Sequence, residues 1–246
     1  MCTLTIFPLG NGHQRLAFNR DEARSRSAAT PPRWHYYGNR EALLPIDPTG
    51  RGTWIAVNDA GLAMALLNVN RQPLATGRPT RSRGTLIPAL LGSGSLAAAV
   101  GRAADLGLGQ YAPFRLVLFA GGEIAECLWD GHGARWTRPA PLTAPVLFTS
   151  SGLGDDLVES PRRRLFEALL AGPGDAVARQ DAFHRHSWPD RPHLSVCMRR
   201  ADACTVSHTV LRLSPSDVVM TYFAGAPDRP SAAVTDRLRI PPGGPR

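Results

Sequence analysis

Residues 2–22 have the sequence CTLTIFPLGNGHQRLAFNRDE, and this stretch decides the fold that the chain is predicted to adopt. Apolar and polar residues alternate from Cys2 to Phe7, and the segment is rich in Thr and Ile, which is typical of a β-strand. Asn11-Gly12 is a strong signal for a tight turn, and the segment 15–19 is then predicted to be the returning strand. The chain is therefore expected to begin with a β-hairpin.

The predicted hairpin determines which side chains meet. In an antiparallel pair, the beginning of one strand lies beside the end of the next. Cys2 begins the first strand, whereas Asn19, Arg20, Asp21 and Glu22 end its partner. We therefore expect the polar Asn-Arg-Asp-Glu cluster to lie close to Cys2.

The rest of the chain alternates between hairpins and short helices. Apolar runs separated by turn residues predict further hairpins at 53–68, 114–129 and 204–222, and a single strand at 145–150. Helical periodicity and capping residues predict helices at 85–91, 96–106, 160–170 and 175–186. Strands joined as hairpins, with the helices in separate pairs, favour an α+β fold. Two antiparallel sheets flanked by helices, a four-layer αββα sandwich, satisfy this order.

Three segments lack such periodicity. Residues 23–50 and 70–83 are rich in Arg, Pro and Gly or other polar residues, and we expect two long loops that line a pocket. Residues 226–246 are predicted to be a flexible tail that contains Pro and Gly. A chain of 246 residues suits one core, so residues 1–225 are predicted to form a single domain.

The composition argues against several classes of protein. Hydrophobic residues make up 43% and charged residues 20%, as in ordinary globular proteins. The net charge of +8 is carried by arginine alone, but the arginines are scattered, which argues against a nucleic-acid partner. No apolar run approaches the roughly 20 residues that a membrane-spanning helix needs. Because no signal peptide is recognisable, the cytoplasm is the expected location.

Two small groups of basic residues are exceptions to this scatter. They are formed by Arg78, Arg81 and Arg83, and by the segment 162–164. Such groups could attract an anionic small molecule or lipid, although a solvated surface is the preferred interpretation.

The cysteine and histidine spacings do not predict a metal site. Cys2, Cys127, Cys197 and Cys204 form no CxxC pair and no zinc-type pattern with histidine. A reducing compartment would keep all four as thiols. The two histidines at positions 184 and 186 would lie on different faces of a helix, and we expect both at the surface.

Cys2 is the residue around which chemistry would be built. Methionine is normally removed when the second residue is small, which would give Cys2 a free α-amine beside its thiol. The ordinary pKa of an α-amine is about 7.7–8.0 and that of a cysteine thiol about 8.5. The amine can therefore serve as the base for the thiol, and Arg20 would favour the thiolate. Asp21 could orient the amine, and Asn68 could donate to an oxyanion.

The sequence resembles a known family, the NRDE family, which is also called the transport-and-Golgi-organisation protein 2 family. The likeness covers most of residues 1–223 and is carried by short motifs that occur in order. These are Met1-Cys2-Thr3, Phe18-Asn19-Arg20-Asp21-Glu22, Gly52-Thr53-Trp54-Ile55-Ala56-Val57-Asn58, Ala65-Leu66-Leu67-Asn68, Ser82-Arg83-Gly84, Ser150-Ser151-Gly152-Leu153, Ser160-Pro161 and Thr205-Val206-Ser207-His208-Thr209-Val210.

That family is similar to N-terminal-nucleophile hydrolases of the penicillin acylase and bile salt hydrolase type. The resemblance implies a four-layer αββα sandwich with Cys2 as nucleophile, Asp21 as partner of the α-amine and Asn68 in the oxyanion hole. Arg20 is assigned to the catalytic group as well. In the acylases, however, the arginine precedes the aspartate by three residues, whereas Arg20 and Asp21 are adjacent.

The resemblance also implies contacts with the substrate, which we assign to Asn19, Ser150, Ser151 and Arg164. The serine pair stands where the acylases have a second asparagine, and this departure argues against ordinary amide hydrolysis. Arg163 or Arg164 would replace a helix arginine that lies near the site in those enzymes.

Three functions follow as hypotheses. The first is an amidohydrolase or acyltransferase that acts on a small-molecule amide or acyl substrate through a thioester on Cys2 and needs no cofactor. The second is a non-catalytic protein that binds haem or an acyl lipid, with Cys2, His13 and His208 as candidate iron ligands. The third is a protein kept for interaction only. The first hypothesis ranks highest.

Overall fold

The computed structural model of the protein describes residues 2–71, 79–229 and 231–241. Arg78, part of the predicted loop at 70–83 and the end of the predicted tail lie outside the described residues. In chain order the strands are β1 (Cys2–Gly10), β2 (His13–Ala23), β3 (Thr30–Tyr37), β4 (Arg40–Ile46), β5 (Ile55–Asn58), β6 (Ala63–Asn68), β7 (Phe114–Ala120), β8 (Glu123–Trp129), β9 (Ala134–Trp136), β10 (Ala140–Pro141), β11 (Val146–Ser150), β12 (Ala203–Leu213), β13 (Asp217–Phe223) and β14 (Ala233–Arg239). The helices are α1 (Leu86–Leu90), α2 (Leu96–Ala104), α3 (Asp155–Ala171) and α4 (Ala176–Arg185).

Two antiparallel sheets contain these strands. The first sheet has the order β11-β1-β2-β12-β13-β14, and the second has the order β10-β8-β7-β6-β5-β4-β3, with β9 paired to β8. The predicted hairpin is confirmed, because β1 pairs with β2 and brings Cys2 directly opposite Arg20. The hairpin lies inside the first sheet, since β11 pairs with the other edge of β1 and β12 pairs with β2.

The layers follow from the alternation of side chains in these strands. Leu4, Ile6 and Phe18 of the first sheet pack against Val57 and Val117 of the second, and this apolar layer forms the main core. A second core lies between the second sheet and the helices α1 and α2, and a third lies beneath α3 and α4 on the first sheet. The predicted four-layer αββα sandwich is thereby confirmed. None of the described helices combines the length and apolar character needed to cross a membrane.

The prediction of a loop at 23–50 is wrong, because β3 and β4 form a hairpin within it. The proline pair that argued for a loop, Pro31 and Pro32, lies at a bulge in β3 between Thr30 and Arg33. β3 is the edge strand of its sheet. An edge strand tolerates proline, since a missing N–H there removes no hydrogen bond to a neighbouring strand.

The prediction of a flexible tail at 226–246 also differs from the structure over part of its length. β14 pairs antiparallel with β13 along its whole length and extends the first sheet. Leu238 of this strand is fully buried in the main core. The prediction rested on the proline and glycine content of the whole tail. Residues 233–239, which form the strand, contain neither residue type.

Three of the four predicted helix starts lie within one residue of the observed starts, and that of α3 does not. Ser95 and Asp175 cap α2 and α4 by accepting hydrogen bonds from Ala98 and Ala178. The start of α3 at Ser160-Pro161 is wrong, because α3 begins at Asp155 and continues through the proline. Two aspartates in its first turn favour the earlier start, since they stabilise the positive end of the helix dipole.

Gly52 holds two loops of the second sheet together. The backbone of Gly84 lies so close to Gly52 that an added Cβ would overlap the Gly84 carbonyl group. The same carbonyl accepts a hydrogen bond of 3.0 Å from the Thr53 amide. Only glycine allows the backbones to approach this closely.

We therefore expect Gly52→Ala to lower the free energy of unfolding by about 1–3 kcal/mol through overpacking, measured by urea denaturation. Gly101→Ala is the matched control, because Gly101 lies within α2 and an added Cβ meets no atom within 4 Å. The control variant should be as stable as the parent or more so, since alanine favours helix. Equal stability of Gly52→Ala and the parent protein would contradict the close contact.

Candidate active site

The start of β1 and the end of β2 present different side chains to the two faces of the first sheet. Cys2 and Arg20 form one opposed pair, and Thr3 and Asn19 form the next. Because side chains alternate along a strand, the two pairs point to opposite faces. Cys2 faces the second sheet, where it joins the main core. The following pair faces α3 and α4.

A cleft of about 220 Å³ opens at Cys2 on the face toward the second sheet. Asn68 reaches it from the end of β6, so the first sheet contributes two of the predicted catalytic residues, Cys2 and Arg20, and the second sheet contributes one. The remaining lining comes from the end of β2 and from the loops around 47–54 and 82–84; it consists of Arg20, Glu22, Arg26, Asp47, Gly50, Gly52, Thr53, Trp54, Leu66, Ser82, Arg83 and Gly84.

Arg20 is held in this cleft by three partners. Its Nη2 atom lies 3.1 Å from Asp47 Oδ2 and 3.3 Å from Glu22 Oε1. Its guanidinium carbon lies 4.3 Å from the centre of the Trp54 ring, a cation–π contact. Arg26 binds the same Asp47 carboxylate. The structure thus places Arg20 beside Cys2, as predicted, and fixes it through residues that the sequence analysis did not assign.

The Cys2 thiol is protonated at neutral pH in this environment. Burial raises the pKa of the thiol to about 11, although the positive charge of Arg20 opposes this change. The Cys2 amide donates a hydrogen bond of 3.0 Å to Ser150 Oγ, and Ser150 lies opposite Cys2 on β11. A thiol with this pKa needs a nearby base before it can act as a nucleophile.

Asp21 lies on the other face of β2, toward the helices. It is fully buried, and its Oδ1 atom accepts a hydrogen bond of 2.6 Å from the Thr205 hydroxyl. Burial raises the pKa of Asp21, whereas the positive charge of Arg162 opposes this effect. Because adjacent side chains of a strand point to opposite faces of the sheet, Arg20 lies between the two sheets and Asp21 lies between the first sheet and the helices.

Arg162 is the helix arginine near the site, and the assignment to Arg163 or Arg164 is wrong. Arg162 is fully buried and donates to the hydroxyls of Thr3 and Thr149 at 3.0 and 2.6 Å. It also donates to the backbone carbonyls of residues 194 and 195. Arg163 and Arg164 are exposed on α3. Because three arginines are consecutive at 162–164, the sequence does not show which of them faces the interior of the protein.

The assignment of Asn19 to substrate binding is also wrong. Its Nδ2 atom donates to the carbonyls of His184 and Val196, at 2.9 and 3.0 Å. Its Oδ1 atom accepts from the Nδ1 atoms of His184 and His208, at 3.0 and 2.7 Å. Asn19 therefore joins β2, α4 and β12 on the helix face, away from the cleft. His184, predicted at the surface, is fully buried.

The serine pair is divided in the same way. Ser150 contacts Cys2 directly, as described above. The Ser151 amide instead donates to Asp155 Oδ1 at 2.8 Å, and the Asn70 amide donates to Asp155 Oδ2 at 2.9 Å. The Asp155 carboxylate thus ties the chain after β6, which carries Asn68, to the start of α3. Neither serine lines the cleft in the described part of the chain; Ser150 reaches it only through its hydrogen bond to the Cys2 backbone.

The candidate haem ligands do not converge on one site. Cys2 lies in the cleft, and His208 is buried on the opposite face of the sheet beside Asn19. His13 begins β2 and pairs with Gly10, at the far end of the hairpin from Cys2. These residues do not fit haem.

Comparisons with known proteins agree with this architecture. The family model for Transport and Golgi organisation 2 matches residues 1–129. Penicillin V acylase from Agrobacterium tumefaciens superimposes with a TM-score of 0.56 at 12% identity, over 95% of this chain and 85% of that one. The N-acylethanolamine-hydrolyzing acid amidase orthologue of Caenorhabditis elegans gives 0.56 at 12% identity, over 93% and 94%.

A third structural relative is the conjugated bile acid hydrolase of Clostridium perfringens. It gives a TM-score of 0.50 at 11% identity, over 96% of each chain. At these identities the likeness is one of fold, and it confirms the fold that the resemblance implied. A comparison with curated protein sequences finds no match.

Arg162→Met should lower the free energy of unfolding by about 3–5 kcal/mol, because Asp21 would stay buried without its neighbouring cation. Urea denaturation measures the change. Arg164→Met is the matched control, since Arg164 is exposed and bonds only to Ser160 among the described residues; we expect a change within about 0.5 kcal/mol. Similar losses in the two variants would contradict the assignment of Arg162.

The buried histidines should destabilise the protein in acid. Burial lowers the pKa of His208 from 6.5 to about 3, and burial also places the pKa of His184 well below its ordinary value. The unfolded chain therefore binds protons that the folded chain does not. Stability is complete above pH 6.5 and falls as the pH decreases toward 3, by up to about 1.4 kcal/mol per pH unit for each histidine.

His208→Gln should reduce this slope by up to about 1.4 kcal/mol per pH unit, the limit approached near pH 5; urea denaturation between pH 7 and pH 5 measures the change. His132→Gln removes an exposed histidine outside the cluster and serves as control. An unchanged slope in His208→Gln would show that His208 already takes up its proton in the folded state.

Proposed function

The chain belongs to the Transport and Golgi organisation 2 family, and on that premise we propose that it hydrolyses or transfers the acyl group of a small-molecule amide through a thioester on Cys2. One observation carries the proposal: Cys2 and Asn68 come from different sheets and line the same cleft. A nucleophile and an amide donor are thereby brought to one cavity, where a carbonyl group can contact both.

Removal of Met1 would supply the missing base. The mature chain would begin with the α-amine of Cys2, whose ordinary pKa of about 7.7–8.0 suits proton transfer at neutral pH. The Cys2 nitrogen already lies 3.0 Å from Ser150 Oγ. In this proposal Ser150 orients the amine, and Asp21 with Arg162 supplies the charged surroundings at the end of β2.

The reaction then proceeds in two balanced steps. The α-amine takes the thiol proton while Sγ attacks the carbonyl carbon, and the C–N bond breaks as the α-ammonium gives that proton to the leaving amine. This leaves an acyl thioester on Cys2. Water, deprotonated by the α-amine, then attacks the thioester, which releases the carboxylic acid and restores the thiol. An acceptor amine in place of water gives acyl transfer.

Asn68 would stabilise the oxyanion of each tetrahedral intermediate. A side-chain amide in a small, partly dry cleft is an effective donor, because it is already oriented before charge develops. Arg20, which Asp47 and Glu22 hold beside Cys2, would favour the thiolate through the proximity of its own charge. By the resemblance, Ser150 or Ser151 stands where the acylases have a second asparagine, and this departure stays part of the proposal.

Intact mass spectrometry tests the proposal directly. We expect the purified protein to begin at Cys2 and to gain one acetyl group on treatment with p-nitrophenyl acetate. Asn68→Ala should slow this acylation by about 10²–10³-fold, the usual effect of losing one oxyanion donor. Penicillin V and an N-acylethanolamine, the compounds in the names of two structural relatives, are the first amides to assay for turnover.

Two variants serve as controls for the acylation. Cys204→Ser removes the half-exposed thiol and should leave the adduct unchanged. Cys2→Ala, which has an equally small second residue, should be processed but should not acquire the adduct. A correctly processed protein with no adduct on Cys2 would overturn the proposal.

A further inference from the structure

Three arginines line the Cys2 cleft, and they differ in how their charge is balanced. Arg20 and Arg26 both bind Asp47, and both also lie within ion-pair distance of Glu22. Arg83 differs from them. Among the residues that the structure describes, no carboxylate lies within ion-pair distance of Arg83, and its hydrogen-bond acceptor is the Pro113 carbonyl, 2.9 Å from Nη1. The cleft therefore carries one positive charge in excess.

Arg83 is also partly removed from water. Burial lowers the pKa of its guanidinium, although the nearby Cys2 and Glu22 oppose this change. A guanidinium carries five N–H donors, and the bond to Pro113 uses one of them. A partly buried cation with unused donors is unfavourable unless an anion completes its surroundings.

The position of Arg83 is fixed by the backbone around it. The next residue, Gly84, packs against Gly52 and accepts the hydrogen bond from the Thr53 amide. The Thr85 amide and hydroxyl both donate to the Ser82 carbonyl, at 3.1 and 2.8 Å, which closes a single helical turn around Arg83. These contacts hold the turn in place, and Arg83 lines the cleft from it.

We propose that Arg83 binds a carboxylate on the substrate, so that the protein acts on amides that carry an anionic group close to the scissile bond. The inference rests on the proposed function of Cys2 and deepens it by naming the substrate class. An arginine suits this role because its planar donors match a carboxylate in a bidentate geometry. The volume of about 220 Å³ that Arg83 shares with Cys2 requires a compact anionic group.

Alkylation of Cys2 by a matched pair of reagents tests the inference. Iodoacetate and iodoacetamide have similar size and reactive carbon, but only iodoacetate carries a carboxylate. The rates are measured at Cys2 by peptide mass spectrometry, and their ratio is compared between variants. Any effect of Arg83 on the reactivity of the thiol changes both rates equally, so the ratio reports the recognition of the anion alone.

We expect Arg83→Gln to lower the iodoacetate-to-iodoacetamide ratio by about 10-fold or more, the usual range for loss of a charge-assisted hydrogen bond. Arg83→Lys should keep part of the preference, because it keeps the charge without the planar donors. Arg81→Gln is the matched control: Arg81 is exposed two residues earlier and does not line the cleft. It removes the same net charge and should leave the ratio within about twofold of the parent value.

The outcomes separate the two proposals. Alkylation of Cys2 with the same ratio in Arg83→Gln and in the parent protein would overturn the carboxylate site and leave the proposed nucleophile intact. An equal fall of the ratio in Arg81→Gln would also overturn it, since a general charge effect would then explain the preference. Failure of both reagents to modify Cys2 in the processed protein, while Cys204 reacts, would overturn the proposed function itself.

Discussion

The antiparallel pairing of β1 with β2 is the constraint on which the site depends. It places Cys2 opposite Arg20, and the alternation of side chains then divides the Asn-Arg-Asp motif between two layers. Arg20 enters the cleft between the sheets, whereas Asn19 and Asp21 enter the layer between the sheet and the helices. The three consecutive residues therefore have three different roles: Arg20 places a positive charge beside Cys2, Asn19 binds the helix layer and Asp21 supplies a buried carboxylate.

The layer between the first sheet and the helices α3 and α4 contains several buried polar and charged groups. A fully buried arginine, a buried carboxylate and two buried histidines lie beneath α3 and α4. Such groups destabilise a fold unless each has partners. Here Arg162 bonds to two hydroxyls and two carbonyls, and Asn19 bonds to two carbonyls and both histidines. The network holds the strand ends under Cys2 by directional bonds, which an apolar layer could not do.

The cleft itself is assembled from distant segments of the chain. The hairpin supplies Cys2 and Arg20, β6 supplies Asn68, and the loops around Gly52 and Gly84 supply Trp54 and Arg83. The close approach of those two loops sets the depth and the charge of the cavity. Structures with only 11–12% identity share this scaffold, and loops vary in sequence more readily than the sheets that carry them.

The sequence by itself determined the hairpin, the layered α+β fold and the neighbourhood of Cys2, because these depend on local alternation, turn residues and short motifs. It also located Asn68 correctly, since the residue ends a strand. Only the tertiary structure decided which arginine of 162–164 turns inward and that Asn19 faces the helices. It also decided that proline-rich segments become edge strands and that Arg83 has no carboxylate within ion-pair distance in the described part of the chain. Each of these depends on which face a residue presents to partners far away in the chain, and local pattern does not contain that information.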